Sequence, residues 1–201
     1  MNLLHIPAVS APIHWLNEPV QAEVNKAGGF MLTAGARTDW FADPAGEIMA
    51  DNAPAALFTP PTGACLLSAR VTVPFAAPSD AGVLMVYADA NRWAKLCFEY
   101  SPQRQPMVVS VVTREVSDDA NAAAITGDSV WLRLYRNAQV LAFHYSTDNR
   151  RWHLVRYFTL GPVEDVRVGF SAQSPTGEGC CVTFSEIACT TRTLADVRDG
   201  T

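Results

Sequence analysis

The sequence predicts an all-β sandwich, and three observations carry that prediction. Short runs of apolar or alternating character recur roughly every ten residues, the spacing of a sandwich or barrel. Pro, Gly, Asn and Asp separate them. No window of about 11 residues carries the apolar stripe of an amphipathic helix.

The expected strands, in order, are Cys65–Val73, Ala81–Ala88, Arg92–Tyr100, Met107–Arg114, Val130–Arg136, Gln139–Ser146, Trp152–Thr159, Val163–Ala172 and Cys180–Cys189. Asp89-Ala90-Asn91, Arg136-Asn137-Ala138 and Thr147-Asp148-Asn149-Arg150 read as hairpin turns, because Asn and Asp tolerate the left-handed backbone that tight turns need. Pro175–Gly179 reads as a fourth turn. Ala120–Ile125 suits one short helical turn, and Thr190–Thr201 a short polar tail. No composition shift or internal repeat divides the chain, so residues 1–201 are expected to form one domain with its core over about 15–189.

Composition narrows the function classes. Apolar residues make up 49% of the 201, enough for a large core, while charged residues make up 17% and leave a net charge of −5. A nucleic-acid surface needs a basic field, so no nucleic-acid partner is expected. No segment approaches the roughly 20 apolar residues of a membrane span, and MNLLHIPAVSAP has no signal-peptide pattern. A cytoplasmic location is therefore expected, with no membrane partner. Five cysteines, irregularly spaced and with Cys180-Cys181 adjacent, do not read as a disulfide framework, and no C-x-x-C pair points to structural zinc.

Period-two alternation assigns faces. Ala94, Leu96, Phe98 and Tyr100 share one face of their strand, and Trp93, Lys95, Cys97 and Glu99 the other. Leu132 and Leu134 oppose Trp131, Arg133 and Tyr135, and Leu141, Phe143 and Tyr145 oppose Ala142, His144 and Ser146. The apolar set in each case is the core set. The other set mixes charge with aromatic rings, as binding sites do. If these strands are neighbours, Trp93, Lys95, Glu99, Trp131, Arg133 and His144 form one concave patch.

At these residues the sequence resembles a known family. The strings DAGVLMVYADANRWAKLCFEYSP, VVSVVTREVSDDAN, VWLRLYR, LAFHYSTDNRRWHLVRYF and VGFSAQSPTGEG, with TDWFADPAG and DNAP upstream, resemble the "regulation of enolase" family, a domain-of-unknown-function group, from about Trp15 to Ile187. The resemblance implies a concanavalin A-like jelly-roll sandwich of two antiparallel sheets with a concave face, as in the lectins and glucanases. The chain is also similar to the C-terminal sandwich of family-43 β-xylosidases, through Ala81-Gly82-Val83, Trp93-Ala94-Lys95 and Glu99. The family name points to a metabolic enzyme as a candidate partner.

Each candidate residue has a functional and a structural reading. Lys95 and Glu99 are four apart on one strand face, about 13 Å at ~3.3 Å per residue, so either binds a ligand or meets a cross-strand charge such as Arg133. Arg133 and His144 lie on strands joined by a tight hairpin. They either hold an anionic or hydroxylated ligand, with His144 as a proton donor or acceptor, or form a closed polar network. Trp93, Trp131 and Trp152 either stack on sugar rings or pack in the core. Asp39 and Trp40 are expected on a loop at the rim, and Gln173 at a strand end reaches a ligand or caps a turn. Asp118, Asp119 and Asn121 echo a lectin calcium loop but read as an ordinary loop.

Catalysis finds little support. A glycosidase needs two carboxylates over one cleft. Glu99 is a candidate, with Asp39, Asp89 or Glu115 as its partner, but the E-x-D-x-x-E strand motif of the glucanases is absent. G-x-S-x-G and phosphate-binding glycine loops are absent too. The expectation is a non-catalytic module for a carbohydrate or sugar-like metabolite, without a cofactor or a metal ion. The alternatives are an enzyme using Glu99 or His144 on a small sugar, and a regulatory partner of a carbohydrate-metabolism enzyme.

Overall fold

The structure, a computed structural model, describes residues 4–201. The chain runs through β1 (His14–Leu16), β2 (Gln21–Val24), β3 (Phe30–Gly35), β4 (Trp40–Ala42), β5 (Met49–Asp51), β6 (Ala55–Phe58), β7 (Cys65–Thr72) and β8 (Ala81–Asp89). It continues through β9 (Arg92–Tyr100), β10 (Pro106–Arg114), β11 (Val116–Ala124), β12 (Ser129–Asn137), β13 (Val140–Ser146), β14 (His153–Phe158), β15 (Arg167–Gln173) and β16 (Gly179–Thr190). Two seven-stranded antiparallel sheets form a jelly-roll sandwich. Their orders are β1-β6-β15-β8-β9-β10-β11 and β14-β13-β12-β7-β16-β3-β2, and β4-β5 is a separate ribbon.

The alternation read from the sequence holds. Ala94, Leu96 and Phe98 of the first sheet and Leu132, Leu134, Leu141 and Phe143 of the second are fully or almost fully buried in one core between the layers. Phe170 of the first sheet packs against Phe30 and Phe184 of the second, with ring centroids 5.7 and 5.0 Å away, so aromatic contacts join the two layers. The hairpins fall where expected, with Ala138 and Asn149 at positive φ of 51° and 57°.

Several expectations are corrected. The stretch Val116–Ala124 is an edge strand, so Ala120–Ile125 is no helical turn and Asp118, Asp119 and Asn121 are strand residues. Its sequence VSDDANAAA has no strand-forming side chain after Val116, most of it is exposed, and backbone pairing to β10 makes it a strand. Trp40 is not a rim residue on an open loop but a buried residue of β4, 3% exposed. The stretch Thr190–Thr201 is not a free tail, because Leu194 is buried among Leu66, Tyr135 and Ala142 on the outer face of the second sheet. Finally, β12 and β13 pair, but β9 is not their neighbour, as a single patch would require. β9 belongs to the first sheet and β12 and β13 to the second, so their outward residues point to opposite sides of the sandwich.

Candidate functional site

Four of the candidate residues meet on the outer face of the first sheet. Alternation in β9 turns Lys95 and Glu99 outward, beside Met85 and Ala81 on β8 and Val111 and Met107 on β10. Gln173 ends β15 in the same row as Ala81 and Glu99. Asp39 arrives from a distant part of the chain. Thr38 and Ser174 exchange backbone hydrogen bonds at 3.3 and 3.1 Å, which pins Asp39 next to Gln173. Asn52 Oδ1 accepts from the Asp39 N–H at 2.9 Å and closes the loop.

The centre is Lys95. Its ammonium is 3% exposed and donates to Asp39 Oδ1 at 2.8 Å and Gln173 Oε1 at 2.9 Å. Gln173 Nε2 in turn donates to the Ser79 carbonyl at 3.2 Å, which fixes the amide orientation. Asp39 Oδ1 also accepts from the Trp40 N–H at 2.7 Å. Burial opposes the charge on Lys95, but the Asp39 carboxylate, joined by the other negative groups around it such as Glu99, outweighs that, and the Lys95 pKa is raised. An ammonium has three N–H donors, so these two bonds leave one free.

These groups line a cavity of about 330 Å³. Asp39, Lys95, Glu99, Asp119, Asn121 and Gln173 supply its polar wall, and Phe41, Val109 and Val111 its apolar floor. Burial pushes the Glu99 carboxyl up to about 7, against the pull of Lys95 and with the repulsion of Asp39 and Asp119. Glu99 therefore exchanges its proton near neutral pH and serves as donor or acceptor. Three carboxyl groups surround one ammonium, a balance that disfavours an anion and favours a neutral hydroxyl-rich or cationic ligand. Among the described residues no cluster of His, Cys, Asp or Glu is placed to hold a metal ion.

The remaining candidates lie elsewhere. Trp93 is 1% exposed, covered by Trp40 in an edge-to-face contact of 5.8 Å, so it is a packed residue and not a stacking platform. Arg133 and His144 are direct cross-strand partners on the outer face of the second sheet. Both are buried under the chain's last residues: Arg133 donates to the Gly200 carbonyl at 3.0 Å and His144 Nε2 to the Val197 carbonyl at 2.7 Å. Arg133 also stacks on Trp152 at 4.2 Å. Trp131 donates to Glu186 at 3.1 Å, with Arg70 over its ring. Phe41, Val109 and Val111 are not among the residues the sequence singles out, and Asp119 and Asn121 read there as an ordinary loop. Alternation in β10 and β11 carried a signal for the last four, with Val111 opposite Asp119 and Val109 opposite Asn121.

This arrangement can be set beside known proteins. Residues 15–192 match the model of a protein family of unknown function, DUF1349. The chain belongs to the DUF1349 family. It is 29% identical over 174 residues to "Regulation of enolase protein 1" of Saccharomyces cerevisiae, covering 86% of each chain. Its fold matches the crystal structure of a functionally unknown protein from Saccharomyces cerevisiae with a TM-score of 0.79 and 28% identity, over 90% of this chain and 97% of that one. It also matches a GH43 protein from Bacillus licheniformis with a TM-score of 0.69 and 14% identity, over 87% of this chain and 36% of that one. That likeness concerns the fold alone. For this DUF1349 member, no helix among the described residues is long and apolar enough to cross a membrane.

Proposed function

We propose that the chain is a non-catalytic binding module for a neutral, hydroxyl-rich small molecule of carbohydrate type, held in the Lys95 cavity. One observation carries the reading: a buried Lys95 with one spare N–H stands beside Glu99, Asp119 and Asn121 above an apolar floor of Val109 and Val111. Sugar rings offer an apolar C–H face and a hydroxylated edge, which such a floor and wall complement. A volume of about 330 Å³ lies near the small end of the ~300–1,000 Å³ range of ligand pockets and suits a small molecule better than a protein surface. The cysteines, none of them in a disulfide, support a cytoplasmic setting for this single-sandwich module.

Calorimetric titration with a panel of mono- and disaccharides tests the reading. Saturable binding that Glu99→Ala and Asn121→Ala each weaken about tenfold or more supports it. A wild-type protein that binds no member of the panel, with no shift in melting temperature, sinks it.

A second reading rests on Glu99, whose pKa of about 7 suits a general acid or base on a small sugar. Turnover that Glu99→Gln abolishes while leaving binding intact would favour it. The name of the yeast relative supports a third role, as partner of a metabolic enzyme, which co-purification tests directly.

A further inference from the structure

The five cysteines are free and differ in their surroundings. Cys97 and Cys180 are buried, and Cys181 is exposed. Cys65 and Cys189 form a pair, because their Sγ atoms approach to 4.0 Å although the residues lie 124 positions apart. The register sets Cys189 opposite Leu67, which places Cys65 one diagonal step away on the same face. Access to the two is unequal: Cys65 is buried and Cys189 half-buried.

We propose that Cys65 and Cys189 are a reversible disulfide site, with Cys189 as the attacking thiol and a low-molecular-weight disulfide of the glutathione type as oxidant. The thiol contact prepares this chemistry. With Cys65 as donor, the hydrogen bond between the sulfurs lowers the Cys189 pKa and raises that of Cys65. The more accessible sulfur is thus also the readier thiolate.

The exchange balances in two steps. Cys189 thiolate attacks one sulfur of the oxidant, the oxidant's S–S bond breaks, and one thiolate leaves and takes up a proton. The Cys65 sulfur, giving its proton to water, then attacks Cys189 Sγ in the mixed disulfide, and the second small thiolate leaves and is protonated. Two protein thiols lose two electrons and two protons, and the oxidant becomes two thiols.

Bond formation needs the sulfurs to close from 4.0 Å to about 2 Å. A diagonal pair has its Cα atoms about 7–8 Å apart, so closure also needs a small shift of the strand ends. Cys65 opens β7, and Cys189 lies one residue before the end of β16, past the bulge between Ser185 and Ala188. The bond ties β7 to the last turn of β16, from which residues 191–201 depart to cover Arg133 and His144.

The test uses the full chain, folded, with oxidised glutathione, followed by peptide mass spectrometry without reduction. The expected product is an intramolecular Cys65–Cys189 link, reversed by dithiothreitol, with a melting temperature raised by about 5–10 °C. Cys65→Ser should trap glutathione on Cys189, and Cys189→Ser should leave the buried Cys65 free of glutathione; either variant suffices if the other fails to fold. The proposal is overturned by a stable glutathione adduct at Cys189 in the wild type, by reaction confined to Cys181, or by a link that forms only at the rate of global unfolding.

Discussion

Lys95 and Asp39, 56 residues apart in sequence, meet at 2.8 Å in a pair whose ammonium is almost wholly buried. That contact joins the interior strand β9 to the loop leading into β4, and it shapes one wall of the cavity. Removing one partner of a buried pair leaves the other uncompensated, which costs about 3–5 kcal/mol. Asp39→Asn, which strands the buried ammonium, is expected to lose stability of that order in urea unfolding. The double change Lys95→Met/Asp39→Asn should recover part of it, since both charges are then gone. A loss in the double variant equal to the sum of the Lys95→Met and Asp39→Asn losses would show that the pair is not coupled.

Glu99 makes stability depend on pH. Its folded pKa of about 7 lies above the ordinary value of 4.5, mainly through burial. The folded chain therefore holds this proton more tightly than the unfolded chain. Its stabilising contribution is complete below about pH 4.5 and is lost as pH rises through 7. Between pH 5 and 8 the wild type should lose on the order of 1–3 kcal/mol, discounted for partial exposure, and Glu99→Gln should flatten that slope. Chemical denaturation at several pH values, wild type against variant, gives the comparison.

Trp40 seals the aromatic end of the same face. It packs edge-to-face on Tyr87 at 5.9 Å and on Trp93 at 5.8 Å, and its indole N–H donates to the Ala53 carbonyl at 2.9 Å. Trp40→Ala should cost about 3–5 kcal/mol and expose Trp93, seen as a red shift in tryptophan emission. Unchanged stability would mean that the β4-β5 ribbon does not hold the face closed.

On the opposite face, the last residues depend on two contacts. Burial lowers the His144 pKa to about 4, so the ring is neutral at pH 7 and its Nε2–H donates to Val197. This stabilisation is present above about pH 6.5 and is lost as pH falls through 4. Gly200 has a φ of 80°, and a Cβ there would lie 2.4 Å from an Arg133 nitrogen. His144→Ala and Gly200→Val should each loosen residues 191–201, raising tryptic cleavage after Arg198 about tenfold at pH 7.5. Cleavage at the wild-type rate in both would show that neither contact secures the segment.

Much of this molecule is legible in its sequence because alternation is a local property. The nine strands expected from Cys65 onward all form, with ends displaced by at most a few residues. Lys95, Glu99, Gln173 and Asp39, each singled out in the sequence, line one cavity, although only the first two share a strand. The short strands before Cys65 gave weak signals, since three or four residues hold at most two periods of the alternation. β11 gave the wrong one, because its polar and alanine-rich composition follows its exposure and not its pairing.

By itself, then, the sequence determined the class of fold, the inward face of each main strand, and the outward direction of Lys95 and Arg133. Side-chain period two dictates those, and it needs no knowledge of neighbours. Only the tertiary structure decided which strands share a sheet. Sheet order arises from pairing between distant segments, and that order put Arg133 and His144 behind the sandwich from Lys95 and Glu99. It also brought Asp39 to Lys95, laid Trp40 over Trp93, and folded residues 191–201 across His144. The single patch suggested by residue chemistry is therefore two: a cavity on one face and a covered polar pair on the other.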